Sequence, residues 1–201
     1  MISSTEPSYL EPYLAASRKY GAGFGTLLWA SPKTQATRFK ALMGAVDIDG
    51  LTVMDVGCGR ADLLEFMFKA RRCPRSYIGI EAVETLAFAA SRKQLPGCSI
   101  ILGDFVRDPS LLDADADVLF YSGSLNTMDT VAFYQCIQQG FEASNRAIVF
   151  NFLCSPFLAG SSHLHWHSAK EVVGFATQLS GRVKVFDKYM RGDATVAIWK
   201  E

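Results

Sequence analysis

The sequence predicts an α/β fold: a seven-stranded, mostly parallel sheet with an antiparallel last strand, helices on both faces and an N-terminal helical lid. Three observations carry this expectation. From Leu51 onward, short apolar runs alternate with segments of helical period, and each such crossover returns the chain parallel to the strand before it. The apolar runs lack the polar alternation of a half-exposed strand, as a sheet covered on both faces requires. After Gly181, two β-rich runs are separated by Arg191-Gly192-Asp193, a short hairpin connection that turns the last strand antiparallel.

Each element has its own signal. Residues 1–45 read as two helices around a glycine-rich loop, forming a cap on a core of residues 51–201 within a single domain. The first helix runs from about Tyr9 to Tyr20, where Gly21, Gly23 and Gly25 interrupt the period and supply a flexible join. Ser31-Pro32 starts the second: serine caps free N–H groups, and proline's missing N–H costs nothing at the first helical position. Phe39, Leu42, Met43 and Val46 mark its apolar face. The core then reads as strand Leu51–Val56, helix Leu63–Ala70, strand Tyr77–Ile80 and a helix from about Thr85 to Lys93. Strands Ser99–Leu102 and Val118–Tyr121 follow, then a helix around Val131–Phe141 and strand Ala147–Phe152. Ser168-Ala-Lys-Glu171 is a capping-box pattern opening a helix to about Leu179. Val183–Met190 and Thr195–Trp199 are the closing hairpin.

The composition narrows the function classes. At 201 residues, with 49% hydrophobic and 20% charged residues, the chain suits one ordinary globular domain. Twenty basic residues balance twenty acidic ones, so no net field attracts nucleic acid or an anionic membrane. The densest basic cluster, Lys69, Arg71, Arg72 and Arg75, reads as a helix end complementing the dipole, with a phosphate-binding patch as the alternative. The five cysteines are odd in number and form no C-x-x-C pair, which fits small buried hydrophobes of a reducing compartment. The N-terminal stretch, with Glu6, Pro7, Glu11 and Pro12, lacks signal-peptide character. The longest apolar run, Ala147–Leu153, is too short to span a bilayer. The expectation is a cytoplasmic protein without nucleic-acid or membrane partners.

The chemistry concentrates in Val53-Met-Asp-Val-Gly-Cys-Gly-Arg-Ala-Asp-Leu63. A strand delivers Asp55, and Gly57 and Gly59 turn the chain into a helix, glycines being needed where a ligand approaches the backbone closely. A nicotinamide fingerprint wants G-x-G-x-x-G, but Asp62 holds the third glycine position, where its carboxylate would repel a pyrophosphate. A P-loop lysine is absent, and a plain structural turn is the remaining alternative. The next strand ends in Ile78-Gly-Ile-Glu81, a carboxylate placed to accept from ribose hydroxyls. The third ends in Ile100-Ile-Leu-Gly-Asp104-Phe105, an acceptor for an exocyclic amine beside an apolar ring. Acids ending three successive parallel strands stand at the edge where ligands of open α/β sheets bind.

With these motifs in hand, the chain resembles the Rossmann-like (class I) S-adenosylmethionine-dependent methyltransferases. Asp55-Val-Gly-Cys-Gly59, Gly79-Ile-Glu81 and Gly103-Asp104 look like that family's cofactor loops, in order, over about residues 51–201. A closer likeness, to a small bacterial group, shows in Trp29-x-Ser31-x-x-x-Gln35-x-x-Arg38-Phe39, Tyr121-Ser-Gly-Ser-Leu-Asn126 and Phe150-Asn-Phe152. The resemblance implies S-adenosylmethionine as cofactor, S-adenosylhomocysteine as product and a small-molecule acceptor. It implies a binding set of Arg38, Asp55, Gly57, Cys58, Gly59, Glu81, Ala82, Asp104, Phe105 and Tyr121. Asp55, Gly57 and Gly59 would face the methionine part, Glu81 the ribose and Asp104 the adenine. Ala61 departs from the family's frequent third glycine. No Asn/Asp-Pro-Pro-Tyr/Phe follows the fourth strand, which argues against a DNA amino-methyltransferase.

Catalytic residues are less marked. Tyr121 and His165 are the candidates for a base, with Tyr20 and His163 behind them. His163-Leu-His165-Trp-His167 holds every histidine of the chain. If extended, its imidazoles would share one face and could bind zinc; a polar wall beside the acceptor and a plain loop are the other readings, and no metal is expected. Asn126 either lines the acceptor or caps the helix beginning near Thr127. Trp29 offers an apolar face to exclude water, and Arg38 a planar fork for the cofactor's carboxylate, with a surface ion pair as the alternative. A cofactor-binding protein without turnover and a nicotinamide oxidoreductase remain as rival functions.

Overall fold

The computed structural model describes residues 8–201; residues 1–7 of the expected cap, Glu6 and Pro7 among them, lie outside the described residues. Strands are β1 Thr52–Val56, β2 Ser76–Glu81, β3 Cys98–Leu102, β4 Val118–Tyr121, β5 Ala147–Leu153, β6 Val183–Phe186 and β7 Asp193–Trp199. Helices are α1 Glu11–Tyr20, α2 Pro32–Ala45, α3 Asp62–Lys69, α4 Glu84–Arg92, α5 Thr130–Ala143 and α6 Ala169–Leu179, with a 3-10 turn at Phe24–Leu27. The strands form one sheet in the order β3-β2-β1-β4-β5-β7-β6. β1 to β5 pair in parallel, and β7 runs antiparallel to both β5 and β6. Strand order reverses between β1 and β4. No helix among the described residues is long and apolar enough to cross a membrane.

Alternation along each strand divides the core between two faces. Val53, Tyr77, Phe120 and Val149 pack with Phe39, Leu42 and Met43 of α2 and Leu63, Leu64 and Met67 of α3. Met54, Val56, Tyr121, Ile148 and Phe150 pack on the opposite face with Phe133 and Ile137 of α5 and Val172 of α6. α2 starts as its sequence dictates: Ser31 Oγ accepts from Thr34 N–H at 3.1 Å and Thr34 Oγ1 accepts from Ser31 N–H at 3.1 Å, a reciprocal cap of two free donors. α6 does not. The Ser168 side chain makes no capping bond, and only its carbonyl accepts, from Val172 N–H at 2.9 Å.

The closing hairpin differs from the sequence expectation. β6 ends at Phe186, and residues 187–192 form a loop that folds Tyr189 inward. Asp193, expected in the turn, begins β7 with 0% of its surface exposed. It forms a buried ion pair with Arg38 and accepts from the Tyr189 hydroxyl. That hydroxyl also lies 2.8 Å from Thr195 Oγ1, so three polar groups satisfy one another where the hydrophobic pattern alone suggests only strand. In α5, Gly140 sits mid-helix despite glycine's poor propensity, because the Tyr121 phenol occupies the space a Cβ would fill.

Backbone conformation at Gly21 and close packing at Gly23 and Gly25 define the turn after α1. Gly21 has φ 56° and ψ −131°, a backbone region essentially reserved for glycine. A Cβ on Gly23 would stand 2.9 Å from the Tyr20 carbonyl oxygen. The fully buried Thr26 hydroxyl donates to Gly21 O at 2.6 Å and pins the turn. Gly44, near the end of α2, meets nothing within 4 Å of an added Cβ. We therefore expect opposite outcomes from two identical substitutions. Gly23→Ala should destabilise by about 1–3 kcal/mol through overpacking, and Gly44→Ala should stabilise by about 0.5–1 kcal/mol by lowering unfolded-state entropy. Thermal or urea unfolding reads both, and a neutral Gly23→Ala would restore the flexible-join reading.

Candidate functional site

A cleft of about 970 Å³, counting its open mouth, lies at the carboxyl ends of the parallel strands where strand order reverses, the position open α/β sheets use for ligands. Its floor comes from the β1, β2, β3 and β4 loops: Asp55, Gly57, Cys58, Gly59, Glu81, Ala82, Asp104, Phe105 and Ser122 to Ser124 all line it. Its roof comes from the N-terminal segment, with Tyr9, Tyr13, Leu27, Leu28, Trp29 and Arg38. The roof rests directly on the glycine turn. A Cβ on Gly59 would stand 2.7 Å from Leu27 Cδ2, and one on Gly57 2.5 Å from Ser124 Cβ. Both glycines have positive φ, 56° and 78°, so sterics and backbone conformation exclude a side chain together. Ala61 also has φ 56° and is fully buried. It keeps the left-handed conformation the missing glycine would adopt, at a cost of about 1–2 kcal/mol.

The three strand-end carboxylates differ in how they are held. Glu81 bridges two loops: Oε2 accepts from Gly59 N–H at 2.7 Å and Oε1 from Val83 N–H at 2.8 Å. Burial pushes its carboxyl up, and the two backbone donors work against that shift. Asp104 accepts from Val106 N–H at 3.0 Å and from the Tyr9 hydroxyl at 2.8 Å. Among the described residues Asp55 has one donor only, the Tyr77 hydroxyl at 2.5 Å, and its Oδ1 is buried without a partner. Burial lifts the Asp55 carboxyl to about 7; the Tyr77 bond lowers it, and the Glu81 and Asp62 charges raise it. Burial also opposes ionisation of Asp62, but bonds from Lys93 and Arg60, each at 2.8 Å, hold its carboxyl below the usual range.

Several expected site residues fall elsewhere. Tyr121 is not in the cleft. As the last residue of β4 it faces α5, and its hydroxyl donates to the Cys136 carbonyl at 3.0 Å within a fully buried shell. Burial pushes its phenol up, so neither the expected cofactor contact nor a role as base survives. His165 is exposed and does not line the cleft, nor does His163; Leu164 between them does. His165 contributes only a backbone N–H, to Asn126 O at 2.8 Å. His167 stacks on Phe133 with ring centroids 3.8 Å apart, and burial pulls its imidazole down to about 4. The three histidines thus share no face. Among the described residues no cluster of three His, Cys, Asp or Glu could hold a metal ion. Tyr20 lies on the surface, 49% exposed.

Arg38 lines the cleft, yet its guanidinium is committed to buried Asp193 and lies over the Trp29 ring at 4.9 Å. The ion pair is a buried one, not the surface pair that was the alternative. Asn126 is no helix cap, because Asp129 caps α5 by accepting from Ala132 N–H at 2.9 Å. Among the described residues its Oδ1 and the Ser122 hydroxyl are buried and unpartnered, and both residues line the cleft. Tyr9, Tyr13, Thr127 and Leu164 are lining residues that the motifs did not single out. Tyr9 and Tyr13 stand at i, i+4, the one sequence signal that could have placed both on a shared side of the first helical segment. Two members of the basic cluster pair with carboxylates: Arg72 with Asp47 and Asp49, and Arg75 with Asp117.

Solved structures share this fold. A DhpI–SAM–HEP complex superposes with a TM-score of 0.70 at 14% identity, covering 96% of this chain and 99% of that one. Magnesium protoporphyrin IX methyltransferase ChlM from Synechocystis PCC 6803, with bound SAH, gives 0.64 at 14% identity over 84% and 83% of the two chains. Small RNA methyltransferase HEN1 gives 0.70 at 12% identity over 86% of this chain but only 26% of its own. No family model and no curated protein matches the sequence. The fold is therefore that of the Rossmann-like class I methyltransferases.

The buried Asp55 makes stability depend on pH. Its carboxyl rises from 3.8 to about 7 on folding, so folding is favoured while the group keeps its proton. Its contribution is fully present below the unfolded value and is lost as pH rises through the folded one. Asp55→Asn should then stabilise the ligand-free protein, with a gain that grows by roughly 2–3 kcal/mol between pH 5 and pH 8. Parallel urea titrations of both proteins check this, and a pH-independent gain contradicts it.

Proposed function

We propose that the chain transfers a methyl group from S-adenosylmethionine to a small-molecule acceptor. One observation carries the reading: carboxylates from the ends of β1, β2 and β3 and the glycine turn after β1 converge in a single roofed cleft. The residues fit the cofactor. The unpartnered Asp55 Oδ1 suits a cationic amino group, and the Gly57–Gly59 turn, packed under Leu27 and Ser124, brings bare backbone to the cleft. Glu81 keeps lone pairs free for ribose hydroxyls beyond its two backbone bonds. Asp104 and Phe105 pair an acceptor oxygen with an apolar ring edge for adenine. Arg38, Cys58 and Ala82 complete the lining of the proposed cofactor compartment.

When bound, S-adenosylmethionine supplies an activated methyl group on a sulfonium. The chain's contribution is to hold donor and acceptor in line, which accounts for much of a bimolecular barrier. Leu27, Leu28 and Trp29 close the roof against water. Tyr13, Ser122, Asn126 and Thr127 provide uncharged hydrogen-bonding groups for an acceptor. Burial lifts the Tyr13 phenol to about 12, so it serves as a donor near neutral pH. A polyanionic acceptor such as RNA fits this lining poorly. Asp55, Asp62, Glu81 and Asp104 face the cleft, and its one lining arginine is paired with Asp193, whereas nucleic-acid sites gather cations on phosphates.

Isothermal calorimetry tests the reading. S-adenosylmethionine and S-adenosylhomocysteine should each bind one site, and Glu81→Ala should weaken both by about 1–3 kcal/mol, the scale of hydrogen bonds to a charged group. Saturable binding of NAD(H) instead, or no heat with either sulfur ligand at millimolar concentration, would overturn it.

A further inference from the structure

We propose that Tyr77 is a positioning residue: its hydroxyl holds one oxygen of the Asp55 carboxyl and aims the other at the cationic amino group of the methyl donor. This rests on the function proposed above. The sheet register makes the contact possible. Val53 of β1 lies opposite Tyr77 of β2, and Asp55 opposite Gly79, so all four positions share one face of the sheet. Gly79 leaves the place across from Asp55 without a side chain, and the Tyr77 ring reaches along that face to donate to Oδ2 at 2.5 Å. A Cβ on Gly79 would stand 2.6 Å from Cys58 Sγ, so Cys58 fills the rest of the gap. Tyr77 is 1% exposed and Asp55 2%, which keeps water from replacing the bond.

Asp55 depends on this one donor as its neighbours do not. Glu81 and Asp104 each accept from two backbone N–H groups. An ionised carboxylate in a dry site needs such donors, and losing one costs far more there than in water. The surrounding groups do not help. Glu81 and Asp62 repel a second charge, and the Cys58 and Cys98 thiols are pushed up by burial and stay neutral. Arg38 of α2 is engaged by Asp193, and Arg60 and Lys93 by Asp62. Among the described residues Oδ1 is left buried and unpartnered, on a side chain that lines the cleft. The arrangement holds a carboxyl group in place, ready to ionise against a cation that a ligand brings.

The test is Tyr77→Phe, which keeps the ring and removes the hydroxyl. In the ligand-free protein, the Asp55 ¹³Cγ titration midpoint should move up by about one pH unit or more, the size of losing a bond to a charged group. Affinity for S-adenosylmethionine at pH 6.5 should fall by about tenfold, one pH unit of proton competition. Affinity for adenosine, which has no amino group to meet Asp55, should stay level. Equal losses for both ligands would mean that Tyr77 only supports the fold, and an unmoved ¹³Cγ midpoint would remove it from the site. Wild-type protein gives a second check that does not depend on the variant's folding. The Tyr77 ¹³Cζ shift should follow the Asp55 titration with the same midpoint, and an independent Tyr77 shift contradicts the coupling. If that coupling holds while S-adenosylmethionine binds at no pH, the proposed function fails and the Tyr77–Asp55 interaction stands.

Discussion

The reversal of strand order between β1 and β4 constrains everything around the cleft. Crossovers from β1 run one way across the sheet and those from β4 the other, so no helix covers the carboxyl ends between them. The loops after β1 and β4 must then meet each other. Ser124 does this by donating to Val56 O at 2.7 Å and packing on Gly57. The remaining opening is roofed by the segment that precedes β1, which arrives over the glycine turn through Leu27 and over Gly123 through Trp29. One buried ion pair, Arg38 of α2 with Asp193 of β7, ties that roof to the far half of the sheet. Removing either partner would strand a charge in a dry site, at about 3–5 kcal/mol.

The cleft is also where the fold is least at ease. Asp55, Glu81 and Asp193 are carboxylates with almost no exposure, and burial raises all three. Asp55 and Asn126 keep buried oxygens without a partner, and Ala61 holds a conformation that suits glycine. Among the described residues, Asn151 Oδ1 and His167 Nε2 are also buried without a partner, but away from the cleft. The unmet Asp55 and Asn126 oxygens belong to residues that line the cleft, where a polar ligand can answer them. Under the proposed function, the methyl donor supplies the missing cation at Asp55.

Much of this was legible in the residues. Periodicity placed the strands and helices, because apolar spacing reports which face is buried. Asp55, Glu81 and Asp104 were legible because an acid directly after an apolar parallel strand has one place to go. What escaped were features decided by distant partners. Asp193 reads as a turn residue beside Gly192, and only Arg38, far away in sequence, explains its burial at the start of β7. Tyr121 ends its strand on the cleft side in sequence terms, but strand alternation turns it toward α5 and the Cys136 carbonyl. The histidine run looks like a ligand set only if the chain there is extended. It is instead a loop that buries His167 on Phe133 and leaves His165 in solvent. Tyr77 looked like an ordinary strand aromatic until Gly79 showed the gap it spans.

The central claim concerns where the cofactor lies, and a crystal structure grown with S-adenosylhomocysteine tests it most directly. The account predicts the ligand's amino group within hydrogen-bond distance of Asp55 Oδ1, its ribose hydroxyls at Glu81 and its adenine beside Asp104 and Phe105. Ligand density outside this cleft, or within it but with the adenine at the Asp55 end, would contradict the account.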